Sequence, residues 1–373
     1  MVLSRLLAPD SAVGVDIGSS SIKLVYAEPT KQGVRVSHIA MCPTPPEAVK
    51  EGVVVSIPEV AAAIQFAMRS VGIKTSSAIT AIAGPGVVVR NIQVPTMTEQ
   101  MFRKNITFEA SKYISATVED SVVEFEILGP ANEPGQMNAM IVAAPRGIVD
   151  SKVRSIEAAG LDPLAVDVEA FCTFRTLVEY GSDESLREGT IALLDIGASH
   201  TEINLVCSGK LELTRTIPIA GRSLTNAIKN AENCTEEEAE ERKYALDMSE
   251  LIGLPAGSVP NQSMKVVQSL VDEMLREVRR SVNFYQSQLP DGSAEASVNK
   301  LLLTGGTSRL KGLLPYASSR LNIEVMSGAP MSSMVDVSLS QGEISEEDLP
   351  LLAVAFGLAV KELSVAARVA NVA

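Results

Sequence analysis

The stretch VGVDIGSSSIKLVYAE (13–28) runs apolar, sets Asp16, Gly18 and three serines in a tight turn, and leaves as another apolar, β-branched run. A second stretch, IALLDIGASHTEINLV (191–206), has the same grammar. Superimposing Asp16 on Asp195 brings Ile17 onto Ile196, Gly18 onto Gly197 and Ser20 onto Ser199, 179 positions apart (195 − 16). That separation is too long for a short repeat array and points to two similar domains, each opening as strand, turn, strand. A glycine turn lets backbone N–H groups converge on an anion, and neighbouring hydroxyls add donors. An aspartate beside a phosphate would repel it, so its presence makes sense with Mg²⁺ between them, bound through waters. Two such turns face to face would clasp one polyphosphate from both sides. Taken singly, either turn also reads as an ordinary hairpin.

A third glycine signal, LLLTGGTSRLKGL (301–313), ends a buried strand in Gly305-Gly306. Thr307 and Ser308 are expected to cap the helix that follows. Glycines there would let a flat ring or a ribose approach the backbone, and the bland alternative is a tight strand–helix turn. No G-x-x-x-x-G-K-[ST] occurs, and neither Asp-Ile-Gly turn leads into a helix, so P-loop and dinucleotide-binding readings fail.

Composition agrees. The 373 residues suffice for two or more domains, and 46% hydrophobic content supplies their cores. A net charge of −13 disfavours non-specific binding to nucleic acid or anionic lipid. Cys42, Cys172, Cys207 and Cys234 stand far apart, and His38 and His200 are the only histidines, so no conventional zinc cluster forms. The cysteines read as small core residues of a reduced, cytoplasmic protein. The start, MVLSRLLAPDSAVG, is broken too early by Pro9 and Asp10 for a secretory signal, and no run of about 18 apolar residues occurs.

Along the chain, strands alternate with helices. A helix at 58–70 puts Val60, Ile64, Ala67 and Val71 on one face, and 76–84 reads as a buried strand. Residues 85–165 read as a small α+β insertion. It has a strand, a helix capped by Thr96 or Thr98 with Phe102, Ile106, Ala110 and Ile114 in one stripe, and a hairpin whose first strand alternates Val123, Phe125 and Ile127 against Glu124 and Glu126. A helix at 147–159 ends at Gly160. From 221 the chain is mainly helical, with a long periodic helix over 262–289. The stretch 338–350 reads as a solvated acidic connection, and His200 is expected to face solvent from the second turn.

The order of first phosphate turn, second phosphate turn and TGGTSRLKGL resembles the actin, Hsp70 and sugar-kinase superfamily. Within it the chain resembles the FtsA/PilM branch, and most closely the PilM family of cytoplasmic, actin-like type IV pilus assembly proteins. The motifs carrying this are VDIGSSSIKLV, PTPPEAVKEGVV, VRNIQVPTMTEQMFRKNITFEASKYI, AAGLDPLAVDVEAF, LLDIGASHTEINLV, EEAEERK and LLLTGGTSRLKGL. The helix ends in YISAT where the family usually has YIPF.

The resemblance implies an actin-like ATPase fold, α/β, with two domains on mixed sheets flanked by helices. It implies subdomain 1A at 1–84 and 166–190, an FtsA-like 1C at 85–165, 2A at 191–220 and 299–373, and 2B at 221–298. It implies ATP and Mg²⁺ as cofactors, with Asp16 and Asp195 reaching the metal through water. Gly18, Ser19, Ser20 and Ser21 would bind β- and γ-phosphates beside Lys23, faced by Asp195, Gly197, Ala198, Ser199 and Thr201. Glu240 and Lys243 match the ribose and base contacts, and Gly305, Gly306, Thr307 and Ser308 would back the adenosine. Glu169 stands where MreB-like proteins have a water-orienting acid, and it equally suits a first-turn glutamate favoured by the helix dipole. Glu240 and Lys243 equally suit i,i+3 surface pairing.

In the family, the cytoplasmic N-terminus of PilN lies between 1A and 1C, and PilO joins through PilN. Met97 and Met101 fall where such a groove would form, and also suit core packing. The implied protein is peripheral at the inner membrane, at most a slow ATPase, with self-association a further expectation. An FtsA-like division protein would need an amphipathic membrane helix at its end, and the tail KELSVAARVANVA has few large apolar residues. A small-molecule kinase would need a catalytic aspartate in a substrate cleft, and the compact insertion stands in place of the larger substrate subdomain.

Overall fold

The first quoted stretch folds as β1 (Val13–Ile17) and β2 (Ser21–Thr30), antiparallel, with Asp16 directly opposite Lys23. The computed structural model describes residues 12–30, 33–114, 117–255, 258, 260–289, 297–329 and 345–361. The lead-in 1–11, residues 338–344 of the acidic stretch and the tail from 362 lie outside the described residues.

β3 (Gly33–Pro43) pairs antiparallel with β2, and a small hairpin of β4 (Val49–Lys50) and β5 (Val53–Val54) follows. α1 (Ile57–Val71) begins with Pro58 in its first turn and ends where Gly72 takes φ 75°. Its Val60, Ile64 and Ala67 are buried on the sheet, and Val71 is half-buried. Burying Val60 and Ile64 contributes roughly 1.5–3 kcal/mol each. β6 (Ser77–Ile82) then joins β1 in parallel.

β7 (Val88–Pro95), α2 (Glu99–Ala110), β8 (Ser121–Pro130) and β9 (Gln136–Pro145) form a separate unit, a three-stranded sheet of order β7-β9-β8 covered by the helix. Thr98 caps α2 by accepting from the Met101 N–H. Phe102, Ile106 and Ala110 bury into a core of its own with Ile92, Met137 and Ile141. Met97 packs onto that core, whereas Met101 and Phe108 are exposed. α3 (Arg146–Ala158) packs on α1, and β10 (Asp162–Val168) pairs parallel with β6. Both fall wholly or partly inside the 85–165 range, yet β10 belongs to the first sheet, of order β10-β6-β1-β2-β3, and α3 packs mainly on α1, β5, β6 and β10. α4 (Glu169–Phe174) continues into one π-helical turn, Arg175–Glu179.

The second quoted stretch folds as β11 (Thr190–Ile196) and β12 (Thr201–Cys207), and β13 (Lys210–Ile217) follows antiparallel. α5 (Gly221–Glu232), α6 (Glu236–Ala245) and α7 (Gln262–Gln286) come next. α7 starts on an Asn261 cap and presents Met264, Val267, Val271, Met274 and Val278 to the core at helical spacing. β14 (Val298–Thr304), α8 (Leu313–Leu321) and β15 (Glu324–Ser327) complete a sheet of order β13-β12-β11-β14-β15.

α9 (Ala353–Ala359) returns to the first sheet and lies on β1, β2 and α4. It comes so close that a Cβ on Gly14 would sit 2.3 Å from the Ala355 carbonyl oxygen, and one on Gly357 2.2 Å from that of Cys172. Arg175 and Thr176 donate to the carbonyls of Gly357 and Ala353 at 2.7 and 2.6 Å. Cys42, Cys172 and Cys207 are buried, Cys234 half-buried, and all four are free thiols.

Candidate functional site

The two hairpin turns are built alike. The Gly18 N–H donates to Ser21 O at 3.2 Å, and the Gly197 N–H to His200 O at 3.1 Å. A threonine from elsewhere pins each: Thr44 Oγ1 donates to Gly18 O at 2.7 Å, Thr307 Oγ1 to Gly197 O at 3.2 Å. The turns meet across the domain seam, where Ser19 Oγ donates to Ser199 Oγ at 2.9 Å and Arg222 Nη2 to Ser19 O at 3.4 Å.

They share one cleft of about 840 Å³. Asp16, Gly18, Ser19, Ser20, Ser21 and Lys23 line its first-domain wall, and Asp195, Gly197, Ala198 and Ser199 face them. Glu169 is at the floor, and Glu240, Lys243, Gly305, Gly306 and Thr307 close the far side. Thr201 and Ser308 are not among the lining residues. β12 alternates, so Thr201 turns into the core beneath, donating to Ile219 O at 2.7 Å, and Glu202 takes the cleft side. Ser308 is buried and donates to Gly305 O at 2.7 Å.

The floor is dense in charge. Lys23 Nζ sits 2.8 Å from Asp16 Oδ2; burial opposes its charge, but Asp16, Asp195 and Glu169 outweigh that and raise its pKa. Burial, with Glu169 and Asp16 nearby, pushes Asp195 up to about 7. Glu202 goes up to about 8, chiefly by burial, and its Oε2 has no partner among the described residues. Burial alone would raise Glu169 too, but His200, Lys152 and Lys23 hold it below its usual range. His200 is not solvent-facing. Its Nε2 lies 3.7 Å from Glu169 Oε2, its side chain is 18% exposed, and Glu169 overcomes the cost of burial to raise it to about 9.

On the far side, Lys243 Nζ lies 2.7 Å from both oxygens of Glu240 and 3.1 Å from Thr225 Oγ1. Lys243 is 3% exposed and Glu240 44%, so this is a half-sunk pair on the cleft wall rather than a surface pair. The Lys243 ammonium and the Arg309 guanidinium both lie over the Tyr244 ring. Gly305 has φ 84°, and a Cβ there would meet Asp195 Oδ1 at 2.2 Å, whereas nothing stands within 4 Å of the same position on Gly306. The expected capping by Thr307 and Ser308 does not occur. Residues Gly306–Arg309 form a 3₁₀ turn, both hydroxyls are spent on glycine carbonyls, and α8 starts later, behind Gly312 at φ 73°.

Sequence reasoning missed Lys152, the roles of His200 and Glu202, and Arg222. Lys152 Nζ donates to Ile17 O at 2.5 Å, and burial lowers its pKa. A signal existed: Lys152 lies on the buried stripe of α3 with Ile148, Ser155 and Ile156. Among the described residues no three acids, histidines or cysteines converge to hold a metal directly.

A family model described as type IV pilus assembly protein PilM matches residues 14–363. The chain belongs to the PilM family. Among curated relatives, cell division protein FtsA of Pseudomonas aeruginosa is 26% identical over 363 residues, spanning 86% of this chain and 83% of that protein. FtsA of Bacillus subtilis is 24% identical, spanning 85% and 78%. Among solved structures, a PilM–PilN type IV pilus biogenesis complex aligns at TM-score 0.80 and 28% identity, covering 94% of this chain and 98% of the matched one. MreB5 of Spiroplasma citri, bound to AMPPNP, aligns at TM-score 0.53 and 12% identity over 98% and 100%, a likeness of fold. This PilM-family chain therefore has an actin-like ATPase fold and is an actin-like protein of type IV pilus assembly. Among its described residues no helix is long and apolar enough to cross a membrane.

Proposed function

We propose that this PilM-family chain binds ATP with Mg²⁺ between the two hairpin turns and passes its nucleotide state to a pilus partner at the inner membrane. The observation that carries this is the meeting of the two turns, Ser19 on Ser199, inside one cleft lined by Asp16, Asp195 and Glu169. The donor set fits a hydrated Mg²⁺. Asp195 stands buried near two other acids, a repulsion that a dication relieves, and the absence of a direct three-ligand cluster among the described residues suits a metal carried on phosphates and reached through water. Asp16 and Asp195 would hold it there, and it would neutralise phosphate charge.

The serines of both turns and Lys23 bind phosphate oxygens. Glu240 and Lys243 meet the ribose and base, and the open face of Gly306 leaves room for them. Glu169, at the start of α4, orients a water and accepts its proton, in a slow turnover suited to sensing state. A docked peptide reads that state. The solved relative at 28% identity is a complex with PilN, which supports a PilN-like partner. In this reading its N-terminal peptide lies between the first-sheet domain and the α2 unit, and PilO is reached through PilN. The chain then works as a cytoplasmic, peripheral protein.

Calorimetry tests this in two steps. MgATP binding should weaken tenfold or more in Asp16→Asn, and unchanged affinity overturns the site. The peptide's affinity should then differ between nucleotide-free and MgATP-saturated protein, and equal affinities overturn the coupling.

A further inference from the structure

One line of contacts in the cleft joins the phosphate turns to the acid at the start of α4. Ser19 Oγ donates to Ser199 Oγ at 2.9 Å, Ser199 Oγ lies 3.2 Å from His200 Nδ1, and His200 Nε2 lies 3.7 Å from Glu169 Oε2. Four side chains thus run unbroken from the first turn, through the second, to the helix start that carries the acid. Three elements separated in sequence supply them, so chance adjacency along one strand does not explain the line.

Glu169 needs a free carboxylate to orient a water and take its proton, and a cationic neighbour makes it a poorer acceptor. His200 is that neighbour. Around the pair stand Asp16 from β1, Lys23 from β2, Lys152 from α3, Asp195 from β11 and Glu202 from β12. Of the cations, Lys23 is held by Asp16 and Lys152 by the Ile17 carbonyl, which leaves the imidazole as the group ion-paired to Glu169. At 3.7 Å the contact exceeds hydrogen-bond length, so it restrains the carboxylate by charge and is released by a small displacement.

We infer that His200 is a positioning residue that restrains Glu169 and keeps turnover slow until phosphate binding parts Ser19 from Ser199; the inference rests on the reading of the cleft as an ATP site. Phosphate oxygens only accept, so a terminal phosphate between the turns draws both serine hydroxyls to itself. Ser199 gives its own proton to the phosphate and moves toward it, away from Ser19, and its Oγ draws with it the Nδ1–H of the cationic imidazole, so that Nε2 leaves Glu169. The line converts the presence of a phosphate into freedom of the acid.

The test uses the full chain as wild type, His200→Ala and His200→Gln, with MgATP Kd from calorimetry and kcat from phosphate release. Both variants should raise kcat about five- to tenfold with Kd within twofold of wild type. A kcat unchanged or lowered, with binding intact, overturns the inference. If His200→Ala fails to fold, His200→Gln, close in size and still polar, decides by the same criterion. Loss of MgATP binding in folded variants would make His200 part of the binding surface and equally overturn it. A wild-type chain that does not bind MgATP refutes the ATP reading instead.

Discussion

Asp195→Asn should make the nucleotide-free protein more stable, and more so at alkaline pH. The carboxyl is pushed up to about 7 from an ordinary 3.8, first by burial, then by Glu169 and Asp16. The native state therefore holds this proton to higher pH than the unfolded chain, so stability falls as pH rises from 3.8 to 7 and the loss is complete above 7. The ceiling is (7 − 3.8) pKa units at 1.36 kcal/mol each, about 4 kcal/mol at pH 8. At pH 5 the cost is (5 − 3.8) such units, less than half of that ceiling. Asparagine has the same shape and no charge to bury. If half the ceiling is realised, Tm rises by roughly 4 °C at pH 8, at about 2 °C per kcal/mol for a large chain. The assay is thermal unfolding at pH 5 and pH 8, each with and without MgATP. Wild type should gain Tm from MgATP, because a ligand bound only by the native state stabilises it, and the variant should gain little. An equal or smaller shift at pH 8 than at pH 5 would refute the electrostatic argument.

Two further outcomes follow from the site. Glu169→Ala should cut phosphate release about tenfold or more with MgATP affinity retained, and equal rates would reduce Glu169 to a helix-start residue. Gly305→Ala must place a Cβ 2.2 Å from Asp195 Oδ1 at φ 84°, so denaturant unfolding should show a loss of about 2 kcal/mol or more; a stability unchanged from wild type would mean the turn relaxes freely.

The hairpins were legible because their chemistry is local: a glycine turn, a carboxylate before it and β-branched strands on either side announce themselves within sixteen residues. The α2 unit was legible for the same reason. Phe102, Ile106 and Ala110 keep helical spacing, and Val123, Phe125 and Ile127 keep strand spacing, so each element displays its buried face. What stayed hidden depends on partners far away in sequence. Nothing near Thr307 says that its hydroxyl goes to Gly197 rather than to a helix end. His200 looks like a turn residue until α4 brings Glu169 against it from the other domain. Glu240 and Lys243 look like surface charges until α5 supplies Thr225 beneath them. The choice between Thr201 and Glu202 was open to strand alternation, and there the motif's pattern drew attention to the wrong neighbour.

The closing of α9 over β1 and β2 has a consequence for how the chain is made. The helix that covers Gly14 and Val25 follows β1 only after 336 further positions from Ile17 to Ala353 (353 − 17). At about 5–20 residues per second, that interval is roughly 17–70 s. By its end every strand of the second sheet has been made, since β11 to β15 lie within residues 190–327. The first sheet waits with an apolar face uncovered. During synthesis the first sheet therefore keeps an apolar face exposed until nearly the whole fold has been made.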